Sequence, residues 1–440
     1  MAATPGTPAL RLVPPQRIGD PRRTDVRRAE PRAGGTRTEE RRVGPRRDPG
    51  LDGAGGVARP SRAAVAAALA DASRRDAAAL RFLVACMCAF GLVTVLASSS
   101  VASLAQYGSP WSMFERQAMW TVLGSGVFFV AARVPLERVR RAVLPLLLVT
   151  TVLLVAVLVP HLGKTAGGSS RWIGFGPLTL QPSELAKLVF AVFAADLVAR
   201  REDSRDHLRD LVRPLGIVVG FADVLILKQP DMGTAVVLVC ITVGVLFVAG
   251  VHRRLLGAAL ALVSVVGGVV ALAAPYRRAR LLSFLNPFGH ASTSGYQVVQ
   301  SLVTLGSGHV TGAGVGSSPA IWGWLPNAQT DFVFAVVGNQ LGLVGSVLVV
   351  AAFAAIGWVG LRIAARAEDR FASLLAAALT CWVVCQAMIN IGGVVGAMPE
   401  TGIPLPFLSA GGSSLIVLLA AMGLVVNVAR HPRPARPAPR

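Results

Sequence analysis

The chain has 440 residues, 53% of them hydrophobic and only 15% charged, and its mean hydropathy is +0.59. Soluble domains average about 25% charged residues, so this composition excludes a soluble globular protein and favours a membrane protein. The formal net charge of +20 is compatible with nucleic acid or an anionic membrane as a partner, but no aromatic residue precedes Phe82 in the basic N-terminal region. Because aromatic platforms are missing there, we predict no nucleic-acid partner.

The N-terminal region is rich in arginine, proline and glycine and has almost no large apolar residues, a composition typical of disordered segments. We therefore predict a disordered cytoplasmic tail at 1–80, a transmembrane domain at 81–430 and a short basic cytoplasmic tail at 431–440. All five cysteines lie inside apolar stretches, so the sequence predicts neither a disulfide framework nor a zinc site.

Ten apolar runs follow in chain order, each long enough to approach or span about 30 Å of hydrocarbon as a helix. They lie near 82–102, 118–134, 142–162, 183–199, 211–227, 233–251, 255–274, 332–357, 371–396 and 408–429. The predicted fold is therefore all-α, a polytopic integral membrane protein with about ten transmembrane helices.

Arginine clusters between the runs predict the orientation, because lysine and arginine accumulate in short cytoplasmic loops. The clusters contain Arg138, Arg140 and Arg141; Arg200, Arg201, Arg205 and Arg209; Arg253 and Arg254; and Arg362, Arg366 and Arg370. These basic loops alternate with less basic ones. The alternation predicts cytoplasmic N- and C-termini and a large extracytoplasmic loop near 275–331, between helices 7 and 8.

Ionisable residues in or beside the runs are candidates for function, because burying a charge in hydrocarbon is costly. Asp331 stands at the outer start of the eighth run, where it could act as a general base or cap the helix N-terminus. Glu184 and Lys187 lie three residues apart at the start of the fourth run, where they could form an interfacial ion pair or serve a site. Asp223 lies deeper in the fifth run, with Lys187 or Lys228 as a potential partner.

Basic residues converge on the predicted outer face. They are Arg171, Lys228, Arg277, Arg278 and Arg280. Arginine forks bind phosphate oxygens bidentately, so a diphosphate headgroup is the predicted ligand, with anchoring to lipid headgroups as the alternative. A dinucleotide-binding motif would directly follow a strand, and no strand is predicted before the glycine-rich run at 306–318. We therefore interpret this run as a mobile loop.

Six segments carry a resemblance to a known family. In chain order they are RWIGFGPLTLQPSELAKL, QPDMGTA, YRRARLLSFLNP, GYQVVQSLVTLGSG, LPNAQTDFVFAVVGNQLG and NIGGVVGAMPETGIPLPFLSAGGSSL. In this order on ten apolar runs, they resemble the SEDS (shape, elongation, division and sporulation) family of peptidoglycan glycosyltransferases. The resemblance covers roughly residues 80–430 and is closer to the FtsW-like than to the RodA-like members.

The resemblance implies an enzyme that polymerises lipid II, an undecaprenyl diphosphate-linked disaccharide pentapeptide, into glycan strands for septal cell-wall synthesis. It implies a multi-pass protein of the cell membrane with an extracytoplasmic active site. The implied partners are a class B penicillin-binding protein transpeptidase and other divisome proteins. The chemistry admits a divalent cation, Mg²⁺ or Mn²⁺, as a Lewis acid, but the sequence shows no ligand set and no metal residue is predicted.

The family resemblance assigns catalysis to Asp331, and the reaction needs such a base for the acceptor hydroxyl beside positive charge for the departing diphosphate. The predicted substrate-binding residues are Arg171, Glu184, Lys187, Lys228, Arg277, Arg280, Gln297, Gln300, Ser409 and Ser413. All of these except Lys228 also fall on motif positions of the family.

The chain departs from the family pattern at four single positions, and the segment SSPAIWGWLP lacks the Gln-Lys pair that the family usually has before the LP turn. Gln329 stands where the family usually has histidine, Asn339 and Gln340 where it usually has two glutamates, and Ala410 where it usually has tyrosine. Because of these departures, a further function stays open: a catalytically weakened member of the family that serves as a scaffold for a partner transpeptidase.

A RodA-like elongation polymerase and a lipid II flippase also stay open as functions. A flippase would need charged groups along a path through the bilayer, for which Asp196, Asp223 and Lys187 are the candidates. Asp196 lies near the cytoplasmic end of the fourth run, where its side chain could instead be solvated.

Overall fold

The computed structural model describes residues 62–160, 163–166, 169–175, 178–201, 206–273 and 275–431. Over these residues the protein is mostly helical, and the α-helices are α1 Arg62–Tyr107, α2 Ser112–Ala131, α3 Leu136–Arg141, α4 Val143–Ala156, α5 Pro182–Arg200, α6 Arg213–Lys228, α7 Met232–Val248, α8 Arg253–Ala273, α9 Pro275–Leu285, α10 Tyr296–Gly306, α11 Val333–Arg366, α12 Arg370–Val394 and α13 Gly412–Val428. The strands are β1 Gly163–Ala166, β2 Ser169–Phe175 and β3 Leu178–Leu180. Residues 1–61 of the predicted N-terminal tail and 432–440 of the predicted C-terminal tail lie outside the described residues.

Each of the ten predicted apolar runs overlaps a helix: α1, α2, α4 to α8 and α11 to α13. Among these, α1, α8, α11 and α12 are long and apolar enough to cross a membrane, and α4, α7 and α13 are shorter apolar helices. A segment in hydrocarbon must satisfy its backbone N–H and C=O groups within itself, which is why such runs form helices. The fold is that of a polytopic membrane protein.

Helix α1 begins earlier than the predicted end of the disordered tail at residue 80, since its first residue is Arg62. Asp76 is buried in this extension and pairs with Arg362, at 2.9 Å between Oδ1 and Nη2, and with Arg366. These ion pairs join α1 to the last turns of α11. The helical part of the predicted tail therefore belongs to the folded domain.

Helix α12 forms the centre of the bundle and packs against α5, α7 and α11. In its most apolar stretch 72% of the residues are buried within the protein, whereas in α8 only 6% are. A helix surrounded by protein can carry polar side chains that lipid would not solvate. Gln386 and Asn390 are two such residues of α12, and both are buried.

A small antiparallel sheet between α4 and α5 departs from the all-α prediction. Its strand order is β1-β2-β3, with Ile173 opposite Leu180 and Phe175 opposite Leu178. The first two strands, GKTA and SSRWIGF, do not alternate apolar and polar residues, and the third has only 3 residues, so the sequence does not show the sheet. The sheet occupies most of the segment between the predicted apolar runs 142–162 and 183–199, and β2 contacts α5.

The segment predicted as the large 275–331 loop contains α9, α10 and two short 3₁₀ turns. Its glycine-rich run at 306–318 packs on a kink in α11 at Gly342, whose φ of +67° and ψ of −161° suit only glycine. At the kink, Ala313 N donates to Asn339 O at 2.9 Å. The run is anchored to α11 by its backbone, so its interpretation as a mobile loop is wrong.

Asn339 and Gln340, which replace the two glutamates usual in the family, are buried at this kink. Asn339 Nδ2 donates to Ser307 Oγ at 2.7 Å, and Gln340 O accepts from Gly314 N at 3.1 Å. Burying a neutral amide costs much less than burying a carboxylate. Asn339 thus supports the contact with its side chain, whereas Gln340 contributes only its backbone carbonyl. Asn339 Oδ1 and Gln340 Nε2 are buried without a hydrogen-bond partner among the described residues.

Candidate active site

Asp331 lies just before α11 but does not cap it. The N-cap residue of α11 is Phe332, and the helix has no side-chain cap hydrogen bond. Asn390 Nδ2 of α12 instead donates to Asp331 O at 2.8 Å and to Ile403 O at 2.8 Å. One buried amide therefore fixes the backbone of Asp331 against the 399–411 loop.

Hydrogen bonds of Ser409 tie the same loop to the residues before Asp331. Ser409 Oγ donates to Thr330 O, and Ala410 N donates to Gln329 O at 2.8 Å. The second bond joins two positions at which the chain departs from the family pattern, and it uses only backbone atoms. Ser413 Oγ accepts from the backbone N–H of the N-cap residue of α5 at 3.2 Å. Both predicted serines thus act in the framework around the site.

The carboxylate of Asp331 lies near two arginines and a second acid. Asp331 Oδ2 and Arg280 Nη1 border Gly402, where an added Cβ would lie 3.6 and 3.8 Å from them. Arg280 Nε pairs with Glu400 Oε1 at 3.2 Å. Burial raises the pKa of Asp331 to about 6; Arg280 opposes this rise, Glu400 adds to it, and Arg171 opposes it. A carboxylate with this pKa is mostly ionised at pH 7 and suited to general-base catalysis.

Glu400 is a candidate site residue that the sequence reasoning missed. Its Oε2 atom is buried and has no hydrogen-bond partner among the described residues. Burial raises the pKa of Glu400, and Arg280 opposes the rise. A signal was present, because Glu400 is the only charged residue in 395–411. An isolated acid in an apolar segment of a membrane protein indicates a function or a specific partner.

Two cavities meet at Arg280. The first, of about 30 Å³, is lined by Asp331, Arg280 and Gln297, and it has room for water or a hydroxyl group but not for a sugar. The second, of about 250 Å³, has mostly apolar walls and is lined by Arg277 and Arg280. The structure therefore brings four predicted site residues together, while Gln300, one turn further along α10, lines neither cavity.

Arg171 of β2 holds the turn between α6 and α7. Its Nε donates to Gln229 O at 3.0 Å, and its Nη2 donates to Pro230 O. Asp231 follows in the same turn and caps α7 with its side chain. Lys228, the last residue of α6, is exposed beside this turn. Arg171 contributes to the electrostatics of Asp331 while its own hydrogen bonds serve the turn.

Glu184 and Lys187 form a buried ion pair below the site, with Lys187 Nζ 2.8 Å from Glu184 Oε1. The same ammonium donates to Gln386 Oε1 at 2.8 Å, and Gln386 Nε2 donates to Pro404 O at 2.9 Å. Lys187 and Glu184 line neither of the two cavities at Arg280. The structure places this predicted substrate-binding pair as a support for the 399–411 loop.

Two further acids differ from their expected environments. Asp196 is buried and pairs with Arg140 at 2.7 Å and with Arg200 at 2.9 Å, so it is not solvated. Asp223 Oδ1 is buried without a hydrogen-bond partner among the described residues, and the expected pairing with a lysine is not formed. With Lys187 paired to Glu184 as well, two of the three charges considered for a flippase path are neutralised locally.

Comparison with known proteins places the chain in a family. The profile of the FtsW/RodA/SpoVE family, described as "Cell cycle protein", matches residues 78–434. The chain is 40% identical over 341 residues to "Probable peptidoglycan glycosyltransferase FtsW" of Mycobacterium tuberculosis (strain ATCC 25618 / H37Rv), a match that covers 78% of this chain and 65% of that protein. This chain therefore spans just under two thirds of the mycobacterial relative.

A relative of the same name from Thioalkalivibrio sp. (strain K90mix) is 42% identical over 372 residues, covering 83% of this chain and 92% of that protein. A solved chain from "Structural coordination of polymerization and crosslinking by a peptidoglycan synthase complex" has a TM-score of 0.66 and 30% identity, over 80% of this chain and 96% of that one. On this evidence the chain belongs to the FtsW/RodA/SpoVE family.

Proposed function

We propose that the protein is a peptidoglycan glycosyltransferase that polymerises lipid II for septal cell-wall synthesis. The observation that carries the proposal is the carboxylate of Asp331, with a pKa of about 6, at a small cavity beside Arg280. The names of the relatives support the reaction and the division role. The structural relative comes from a complex that joins polymerisation and crosslinking, which supports a class B penicillin-binding protein transpeptidase as a partner. Other divisome proteins are proposed as partners because of the proposed division role.

In the proposed reaction, a hydroxyl of the acceptor sugar attacks the anomeric carbon of the donor. Asp331 takes the hydroxyl proton while the new C–O bond forms. The bond from the anomeric carbon to the diphosphate breaks, and its electron pair leaves with the diphosphate. In this proposal Arg277 and Arg280 stabilise that charge, because preorganised guanidinium groups bind phosphate oxygens strongly in a partly dry site.

The larger cavity suits the diphosphate of the donor and the first part of its polyprenyl chain. Arg277 and Arg280 supply positive charge, and Gly267 and Gly268 of α8 leave open space on an apolar wall. Because Arg280 also lines the smaller cavity, the anomeric carbon would lie where the two cavities meet, within reach of Asp331.

We further propose ten membrane spans, cytoplasmic termini and an extracytoplasmic active site in the cell membrane. Asp331 lies at the start of α11, and Arg366, from a predicted cytoplasmic cluster, lies in its last turn. The helix has 34 residues, so its path is about 50 Å long and exceeds the hydrocarbon thickness of about 30 Å. The two residues therefore belong on opposite sides of the membrane.

A divalent cation is a further proposal. Among the described residues, no group of three or more His, Cys, Asp or Glu side chains could hold a metal ion. Mg²⁺ or Mn²⁺ bound to the donor diphosphate would add to the positive charge supplied by the two arginines. Titrating either cation in the polymerisation assay, with EDTA as the control, tests this proposal.

Purified full-length protein given labelled lipid II, with and without a class B penicillin-binding protein, tests the function by the yield of glycan strands. Asp331→Asn should lower the rate about 10²–10⁴-fold, because the amide keeps the shape but cannot take the hydroxyl proton. Glu115→Gln is the matched control, since Glu115 is an exposed acid in the first turn of α2 and should retain activity.

Three outcomes would contradict the proposal. Near-normal strands from Asp331→Asn would remove Asp331 as the base. Transfer of lipid II across the bilayer without polymer would favour a flippase, and no polymer from the unmodified chain with its partner would favour a scaffold.

A further inference from the structure

A second polar cavity lies between α1, α2 and α13, at the end of the bundle opposite Asp331. Its volume of about 500 Å³ lies within the range of small-molecule sites. Four arginines line it, Arg74, Arg81, Arg133 and Arg430, over an apolar floor that includes the buried Phe128. Within the part of the chain that the structure describes, no acidic residue lines the cavity.

Three of these guanidinium groups are oriented by the main chain. Arg133 Nη1 donates to Phe129 O at 3.1 Å, Arg430 Nη1 donates to Ala132 O at 3.0 Å, and Arg81 Nε donates to a carbonyl one turn back in α1 at 3.1 Å. Each of these bonds uses one of five N–H donors. None of the four arginines forms an ion pair within the described part of the chain. The cavity therefore has oriented, uncompensated positive charge.

Other arginines at the same end of the bundle do have carboxylate partners. Arg362 and Arg366 pair with Asp76, and Arg140 pairs with Asp196. The four arginines that line the cavity differ from these three, because they share one cavity and have no carboxylate partner among the described residues. An anion that brings several acceptor oxygens, as a phosphate does, is the complementary ligand.

The cavity lies where apolar surface begins. Phe82, next to Arg81 in α1, and Val130, three residues before Arg133 in α2, are both 68% exposed. In the ten-span arrangement proposed above, on which this step rests, these exposed apolar residues of α1 and α2 face acyl chains, and the arginines lie at the level of the headgroups. Basic pockets between helices at this level bind anionic lipid headgroups.

We propose that this cavity binds the phosphate headgroup of an anionic phospholipid, with the acyl chains along the exposed apolar surface of α2. The site is distinct from the proposed catalytic site, which lies at the opposite end of the bundle. It would hold a structural lipid in the leaflet that we assign to the cytoplasm, between the first and last helices of the domain.

The test uses the full-length protein in non-ionic detergent, titrated with phosphatidylglycerol or phosphatidylcholine, with bound lipid counted by native mass spectrometry. The unmodified chain should bind one phosphatidylglycerol more tightly than phosphatidylcholine. Arg81→Gln/Arg133→Gln should weaken this first site about thirtyfold, the effect expected from two lost contacts to an anionic headgroup. The charge-matched control Arg138→Gln/Arg254→Gln removes two exposed arginines outside the cavity and should change the affinity less than about twofold.

Equal phosphatidylglycerol affinity of the cavity variant and the control would overturn the proposal. Inorganic phosphate, added as a competitor, should leave lipid binding unchanged; displacement at equal concentration would identify a site for free phosphate instead. A photo-crosslinking amino acid in place of Ala70, which lines the cavity, distinguishes a lipid in the cavity from a protein segment. A lipid adduct on membrane-embedded protein supports the proposal, and an adduct to a protein segment overturns it.

Discussion

Arg280 interacts with both carboxyl groups of the candidate active site. It pairs with Glu400 at 3.2 Å and, with Arg171, limits the rise in the pKa of Asp331 that burial causes. The protonation state of Asp331 therefore depends on a balance between burial, which favours the neutral acid, and the arginines, which favour the carboxylate. That balance leads to two predictions.

We expect the rate of glycan polymerisation to fall as the pH drops through about 6, because protonated Asp331 cannot accept the hydroxyl proton. The same pKa affects stability. Its value is higher in the folded than in the unfolded chain, so the folded state binds more protons between about pH 4 and 6 and the free energy of unfolding decreases as the pH rises through this window.

Asp331→Asn should consequently be inactive yet melt at a higher temperature than the unmodified protein at pH 8, with a smaller difference at pH 4. Rates and melting temperatures measured across this pH range check both expectations. A residue with only a structural role would show the reverse, a lower melting temperature with activity retained.

Glu400→Gln should move the acid limb of the pH–rate profile to lower pH. The substitution removes a negative charge that raises the pKa of Asp331 and releases Arg280 to interact with Asp331 instead. Glu137→Gln, an exposed acid in α3, is the control and should leave the profile unchanged. An acid limb that stays in place in Glu400→Gln would show that Glu400 does not influence the base.

At the scale of elements, α11 and α12 together position Asp331. Helix α12 reaches the site with Asn390 and supports the 399–411 loop with Gln386. Helix α11 begins directly after Asp331 and is kinked at Gly342, where the glycine-rich run packs closely against it. The kink therefore sets the position of the first turns of α11 and of the chain that leads into them.

Gly342→Ala should destabilise the fold by about 3 kcal/mol or more, because alanine is strained at this φ and ψ. Its Cβ would also lie 2.3 Å from Val310 O and 2.5 Å from Gly312 N. Thermal unfolding in detergent measures the effect. Gly126→Ala is the matched control, since Gly126 lies inside α2 with nothing near its Cβ, and alanine there should be neutral or slightly stabilising. Equal stability of the two variants would mean that the kink is adaptable.

For the whole molecule, the charge distribution predicts which end faces the cytoplasm. A reporter fused after Arg440 should be cytoplasmic, and single cysteines introduced at 285–325 of a cysteine-free variant should react with an impermeant reagent from outside the cell. Cysteines at 253–254 are the control and should react only after permeabilisation. Labelling of 285–325 only after permeabilisation would place the Asp331 site inside the cell and exclude the proposed reaction there.

The sequence by itself determined the apolar runs, their helical state and the place of Asp331 before the eighth run. These are local properties, because the length of an apolar run decides whether it can span hydrocarbon and its backbone must then form internal hydrogen bonds. The resemblance of six sequence segments also predicted the family to which the chain belongs. The family profile, which matches residues 78–434, confirmed this prediction.

The tertiary structure alone decided which polar groups meet. Arg280 and Glu400 are far apart in sequence, and they pair because α9 and the 399–411 loop pack at the same cavity. The short strands and the Gly342 kink carry no periodic signal. Lys187 matched a family motif position, yet packing of α5 against α12 buries it with Glu184 and Gln386. Such pairings depend on contacts between distant elements, because the free energy of a buried charge is set by its partners in space and not by its neighbours along the chain.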